Sequence, residues 1–160
     1  MVITTSDIGI ALIKTFEKIS LKPYICPRGC LTIGYGHKVE NTTNWEVISK
    51  EKAHEMLLKD LQIAENSVLR NIKVSLNQNQ FDALVSFTFN VGGAALQRST
   101  LRQKINRETF KEAKEEFGRW VYCNNNKVKG LIWRRKVESE LFAGNLNKSV
   151  LKKYGFRNIA

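Results

Sequence analysis

The stretch "FEKISLKPYICPRGCLTIGYGH", residues 16–37, decides how this chain is read. It gathers the carboxylate Glu17, the thiols Cys26 and Cys30, the hydroxyl of Thr32 and three glycines. Both prolines of the chain, Pro23 and Pro27, also lie here, so the stretch is the main break in an otherwise helical pattern. Leu31, Ile33 and Tyr35 alternate with Thr32, Gly34 and Gly36. That period of two predicts strands over about 24–40, with one apolar face and one small, open face. Before the stretch, Ile10, Ile13 and Phe16 recur at helical spacing after the polar Thr5 and Ser6, which predicts an amphipathic helix over 7–19.

Working outward, Ala53, Met56, Leu57, Leu61, Ala64, Val68 and Leu69 recur at spacings of three and four. They predict one long helix from Ser49 to about Asn71. Asn77 and Gln80 have the form of a capping box before an apolar helix that runs through Val91 and stops at Gly92-Gly93. Further helices are expected over roughly 99–106, after a cap at Thr109 paired with Glu112, and from Leu131 to Ala143, closed by Gly144. The class is α+β, a small sheet with many helices, in which the long helix can bridge a β-containing lobe and a helical one.

A chain of 160 residues without repeats or a linker is the size of one compact domain. No apolar run approaches the length needed to span a bilayer, and the N-terminus lacks the basic start of a secretory signal, so the chain is expected in the cytoplasm. Three cysteines, Cys26, Cys30 and Cys123, fit free thiols in a reducing compartment. A net charge of +11 attracts polyanions, whether nucleic acid, acidic lipid or anionic cell wall. The basic residues are dispersed and no nucleic-acid-binding signature is present.

Three chemistries compete for the 16–37 stretch. Cys26, Cys30 and His37 would supply three zinc ligands, but structural zinc takes four, usually from two paired clusters, so no metal is expected. A Cys26–Cys30 disulfide is sterically conceivable across a turn, yet lacks the Cys-x-x-Cys spacing of redox motifs. The hydrolase reading starts from Glu17, on the edge of the apolar stripe of the first helix. Partial burial of a carboxyl favours its neutral form, the form a proton donor needs. A lone helical Glu is otherwise a solvated surface residue. Thr32 shares its strand face with two glycines, where a ligand can approach the backbone closely.

Glu17, eight residues, Cys26, five residues and Thr32 within "TIGYGH" resemble the Glu-x8-Asp/Cys-x5-Thr pattern of the phage-type lysozymes, the endolysins of glycoside hydrolase family 24. Three further segments resemble the family in order: "NQFDALVSFTFNVG" (79–92), "STLR" (99–102) and "GLIWRRKVESELFAGN" (130–145). The resemblance implies a lysozyme-like fold, with a β-containing lobe over about 20–48 and a helical lobe over about 73–160 that includes the first helix. It implies a muramidase that cuts the β-1,4 bond between N-acetylmuramic acid and N-acetylglucosamine in peptidoglycan, with Glu17 as general acid. Phe89 and Asn90 match the family segment that lines the cleft and, with Tyr35, are the candidate substrate-binding residues; Phe89 is equally well read as plain core.

Commoner family members carry Asp where this chain has Cys26, and two mechanisms stay open at that position. Cys26 holds and activates water together with Thr32, or it attacks directly and forms a thioglycosyl intermediate. His37 is expected to be structural. Arg134 and Glu138, four apart on a helix, are expected as a surface or half-buried ion pair. A place for Arg134 or Arg135 near Glu17 is not fixed by spacing. The resemblance further implies a monomer that needs no cofactor, avoids nucleic acid and membrane insertion, and waits in the host cytoplasm until it is released to the wall. Against it stand a weakly catalytic wall-binding protein on the same scaffold and, third, a nucleic-acid binder.

Overall fold

The computed structural model describes residues 2–26, 28–40 and 46–156. Helix α1 (Asp7–Glu17) starts at Ser6, whose side chain accepts from the Gly9 N–H, and ends two residues earlier than its sequence pattern suggests, because Lys18 turns to φ 53°. Three antiparallel strands follow, β1 (Ser20–Ile25), β2 (Leu31–Gly34) and β3 (His37–Lys38), in the order β1-β2-β3. Tyr24 pairs with Thr32, Ile25 with Leu31, and Thr32 with Lys38. The expected open face is absent, since Thr32, Ile33 and Gly34 are all buried. Gly34 faces Ala53 of the next helix, where an added Cβ would lie 3.6 Å from the Ala53 Cβ. Of the 20–48 lobe, residues 27 and 41–45 lie outside the described ones, as do 157–160 of the helical lobe.

Helix α2 (Lys50–Asn71) begins at the Ser49 cap and has the length its apolar spacing predicts. Its first half lies against β2, with Ala53 beside Gly34; its second half enters the main core through Leu57, Leu61, Ala64 and Val68. Asn77 and Gln80 form the expected capping box at the start of α3 (Gln78–Val91), and Gly92 ends it. Gly93 does not stay in the stop: it opens α4 (Gly93–Arg98), which the sequence pattern did not reveal. Then come α5 (Thr100–Asn106) and α6 (Phe110–Glu116). Thr109 precedes α6 without capping it, because its hydroxyl donates to the Lys104 carbonyl at 3.0 Å instead.

A 3-10 turn (Phe117–Arg119) and a hairpin of β4 (Tyr122–Cys123) and β5 (Asn126–Lys127) lead into α7 (Lys129–Phe142) and a short α8 (Lys148–Lys153). Phe81, Leu84, Val85 and Phe87 of α3 pack with Val137, Leu141 and Phe142 of α7, so the α3–α7 pair forms the spine of the helical part. Helix α1 is fixed to this spine at both ends. Asp82 of α3 accepts from the Ser6 N–H at 3.0 Å, and Phe16 meets Trp133 of α7 edge-on, with ring centroids 4.8 Å apart. Fixing both ends of α1 fixes its last residue, Glu17.

Candidate active site

Glu17 closes α1 beside the turn between β2 and β3. An added Cβ on Gly36, at φ 84°, would lie 3.4 Å from Glu17 Oε2, so the turn passes close to the carboxyl because it carries no side chain there. Arg134 Nη1 donates to Glu17 Oε1 at 2.5 Å. Its other donors are spent inside the protein: Nε on Glu138 Oε1 at 3.1 Å and Nη2 on the Ser86 carbonyl at 3.0 Å. The Ser86 hydroxyl donates to Glu138 Oε1 at 2.7 Å.

Arg134 and Glu138 are 4% and 0% exposed, so this pair is a buried brace between α3 and α7, in contrast to the surface or half-buried pair that their spacing suggests. Arg135 Nε lies 3.1 Å from Glu138 Oε2, too bent for a hydrogen bond, and Arg135 Nη2 donates to Asn90 Oδ1 at 2.5 Å. Burial lowers the Arg135 pKa from the ordinary arginine value, the neighbouring Arg134 adds to this, and Glu138 opposes it.

Tyr24, Cys26 and Thr32 share one face of the β1–β2 ladder, since Tyr24 pairs with Thr32 and side chains alternate along a strand. Hydrogen bonding holds the Cys26 thiol below the ordinary cysteine value, first from the Cys30 backbone, then from Arg28 and the Thr32 hydroxyl. Thr32 Oγ1 donates to the Cys30 carbonyl at 3.0 Å, so its one proton is shared between that carbonyl and the Cys26 sulfur. Burial raises the Tyr24 pKa, and the negative charges of Cys26 and Glu17 add to the shift, so the phenol senses both groups. Glu17, Cys26 and Thr32 are thus brought together, with Tyr24 beside them.

Residues 14–138 match the phage lysozyme family. The chain belongs to that family. Its relatives include the endolysin of Bacillus phage B103, 42% identical over 147 residues that cover 91% of this chain and 56% of that protein. They also include the endolysin of Acyrthosiphon pisum secondary endosymbiont phage 1, 41% identical across 86% of this chain and 96% of the relative. This chain therefore spans little more than half the length of its Bacillus phage relatives, 56% and 57%. Among solved structures, the endolysin of Escherichia coli O157:H7 phage FAHEc1 aligns at a TM-score of 0.80 and 32% identity, over 90% of this chain and 96% of that one. The α+β, lysozyme-like fold expected from the sequence is the one observed.

The remaining candidates of this phage lysozyme family member lie in the β2–β3 turn, at the end of α3 and on β3. Tyr35 sits in the β2–β3 turn with Lys14 Nζ 5.5 Å from its ring centroid, and burial raises its pKa. Phe89 packs against the main core, and Asn90 is exposed at the end of α3. His37 Nδ1 lies 2.8 Å from Asp60 Oδ2 and ties β3 to α2, the structural role expected of it. Sequence reasoning did not single out Tyr24, and it left a place for Arg134 or Arg135 near Glu17 open without assigning it. The alternation of β1 could have flagged Tyr24, because it stands two residues before Cys26. Nothing local in the sequence aims Arg134 at a residue 117 positions away. A cavity of about 380 Å³ beneath the β4–β5 hairpin is lined by Arg135 but not by Glu17, Cys26 or Thr32. Its lysines and glutamates are partly spent on each other, with Lys114 Nζ on Glu140 Oε1 at 2.8 Å.

Proposed function

We propose that this chain is a muramidase of the endolysin kind, hydrolysing the β-1,4 bond between N-acetylmuramic acid and N-acetylglucosamine in bacterial peptidoglycan and so lysing the host cell. The observation that supports this reading is a carboxyl, Glu17, braced by a buried arginine at 2.5 Å, whose charge, like that of the Cys26 thiol, is felt by Tyr24, the ladder partner of Thr32. Residues 1–160 act as one lysozyme-like catalytic domain, with the β-containing lobe over about 20–48 and the helical lobe over about 73–160 together with α1.

Glu17 protonates the leaving glycosidic oxygen as the oxocarbenium-like transition state develops. Cys26, in its thiolate form, takes a proton from a water held with Thr32, and that water attacks the opposite face of the sugar, inverting the anomeric carbon. Tyr35, Phe89 and Asn90 contact the glycan. The net charge of +11 favours adsorption to an anionic wall and adds nothing to bond cleavage. The chain works as a monomer without a cofactor and without nucleic acid, and stays in the host cytoplasm until it is released to the wall.

Glu17→Gln keeps the side-chain shape and removes the acid, so clearing of a purified wall suspension should slow by at least ~10². Near-parental clearing would remove Glu17 from the chemistry. A wall-binding protein without catalysis would sediment with the walls and leave turbidity unchanged even for the parent. Proton NMR of the first-formed anomer should show inversion, whereas retention would assign Cys26 a covalent thioglycosyl role in place of water activation.

A further inference from the structure

Arg135 of α7 is 1% exposed and lies over the ring of Phe87 on α3, with the guanidinium carbon 5.0 Å from the ring centroid. Glu138 Oε2 stands 3.1 Å from Arg135 Nε. Among the described residues, Nε and Nη1 of Arg135 make no hydrogen bond. Its Nη2 donates to Asn90 Oδ1 at 2.5 Å, across 45 positions of sequence. A guanidinium carries only donors, so the half of the Asn90 amide that meets it is the carbonyl oxygen. The reversed amide would set N–H against N–H and leave one more buried donor unmet on an arginine that already has two such nitrogens. The oxygen is thereby held by Arg135, and the amide nitrogen, with two hydrogens to donate, is left at an exposed residue in the last turn of α3.

We propose that Arg135 is a positioning residue that turns Asn90 into a one-way donor, for an amide carbonyl oxygen of peptidoglycan. The proposal rests on the reading of Asn90 as a substrate-binding residue of a muramidase. An amide free to turn over meets donors and acceptors alike. A sugar hydroxyl, which both donates and accepts, satisfies the amide in either orientation. Fixing the amide therefore selects only for a group that accepts and cannot donate. Peptidoglycan offers such groups as the N-acetyl carbonyls of its sugars and as the carbonyls of its stem peptides. Both are neutral, so this recognition is separate from the salt-sensitive adsorption that the net charge of +11 favours. Burial suits Arg135 to the task, because a guanidinium packed between Phe87 and Glu138 has one position from which to hold the oxygen.

Asn90→Asp keeps an oxygen for Arg135 and replaces the donor with a second oxygen, so the contact to α7 survives while recognition of a carbonyl does not. Clearing rates over a range of wall concentrations, in salt high enough to screen the new charge, should show a half-saturating concentration raised about tenfold, the scale of one lost hydrogen bond. The maximal rate should change little, and thermal stability should not fall. A bond that only braces α3 to α7 predicts parental clearing by Asn90→Asp, which would overturn the proposal. Arg135→Met should raise the half-saturating concentration in the parent and leave it unmoved in Asn90→Ala, since Arg135 acts through Asn90; equal rises in both backgrounds would overturn it. If Arg135→Met fails to fold, Asn90→Asp decides alone. Glycan strands stripped of stem peptides identify the source of the carbonyl. A parental advantage over Asn90→Asp that persists on them assigns it to an N-acetyl group, and one that vanishes assigns it to a stem peptide. If the parent clears no walls at all, the muramidase reading fails, and sedimentation of parent and Asn90→Asp with walls still reads the difference in affinity.

Discussion

At the residue scale, Cys26 is a thiol at a position where the pattern Glu-x8-Asp/Cys-x5-Thr also admits a carboxylate. Hydrogen bonds from the Cys30 backbone hold this thiol below the ordinary cysteine value, with Arg28 and Thr32 contributing, so its ionised form is present at lower pH than for an isolated thiol. A base acts when deprotonated, so lysis should rise with pH through that lowered value. Cys26→Asp should remain active and move the rise to the acid side, toward the carboxylate range near about 4, while Cys26→Ala should lose the rise and most of the activity. Superimposable acid limbs for the parent and Cys26→Asp would show that Cys26 is not the titrating base. Glu17 and Thr32 were singled out from the edge of a helix stripe and a glycine-flanked strand face, whereas Cys26 joined them only through the resemblance to the Glu-x8-Asp/Cys-x5-Thr pattern. Tyr24 was not singled out, since an exposed strand tyrosine reads as ordinary until its ladder partner, Thr32, is known.

At the element scale, α1, α3 and α7 act together as a mount for Glu17. Arg134 donates to Glu17, to Glu138 and to the Ser86 carbonyl, with 4% of its side chain exposed. Removing one partner of a buried ion network leaves a charge uncompensated, so Arg134→Ala should lose about 3–5 kcal/mol of stability in chemical denaturation. A loss under about 1 kcal/mol, the scale of an exposed pair, would show that the brace is not load-carrying. The long periodic elements were readable: α2 from its spacing of apolar residues, and α3 from its capping box. The short ones were not. Gly93 reads as a stop beside Gly92 but opens α4, and α8 has six residues, too few for a periodic stripe to stand out. The burial of Arg134 and Glu138 was hidden because four-residue spacing of opposite charges is the same on a solvated helix face and at a packed interface.

At the scale of the whole molecule, the sheet and the first half of α2 form one side of the site, and the helices around the α3–α7 spine form the other. The chain order that delivers this arrangement runs from the acid on α1, through the sheet with Cys26 and Thr32, along α2, and back to the brace on α7. Long separations are thereby brought to one place, which single-sequence reading reaches through resemblance and not through periodicity. The family match across 14–138 covers every one of these groups. Mass spectrometry of peptidoglycan digested by residues 1–160 reads directly the bond that the assembled site cuts. Fragments with reducing N-acetylmuramic acid ends are the predicted result; reducing N-acetylglucosamine ends, or cleaved peptide stems with intact glycan, would contradict it.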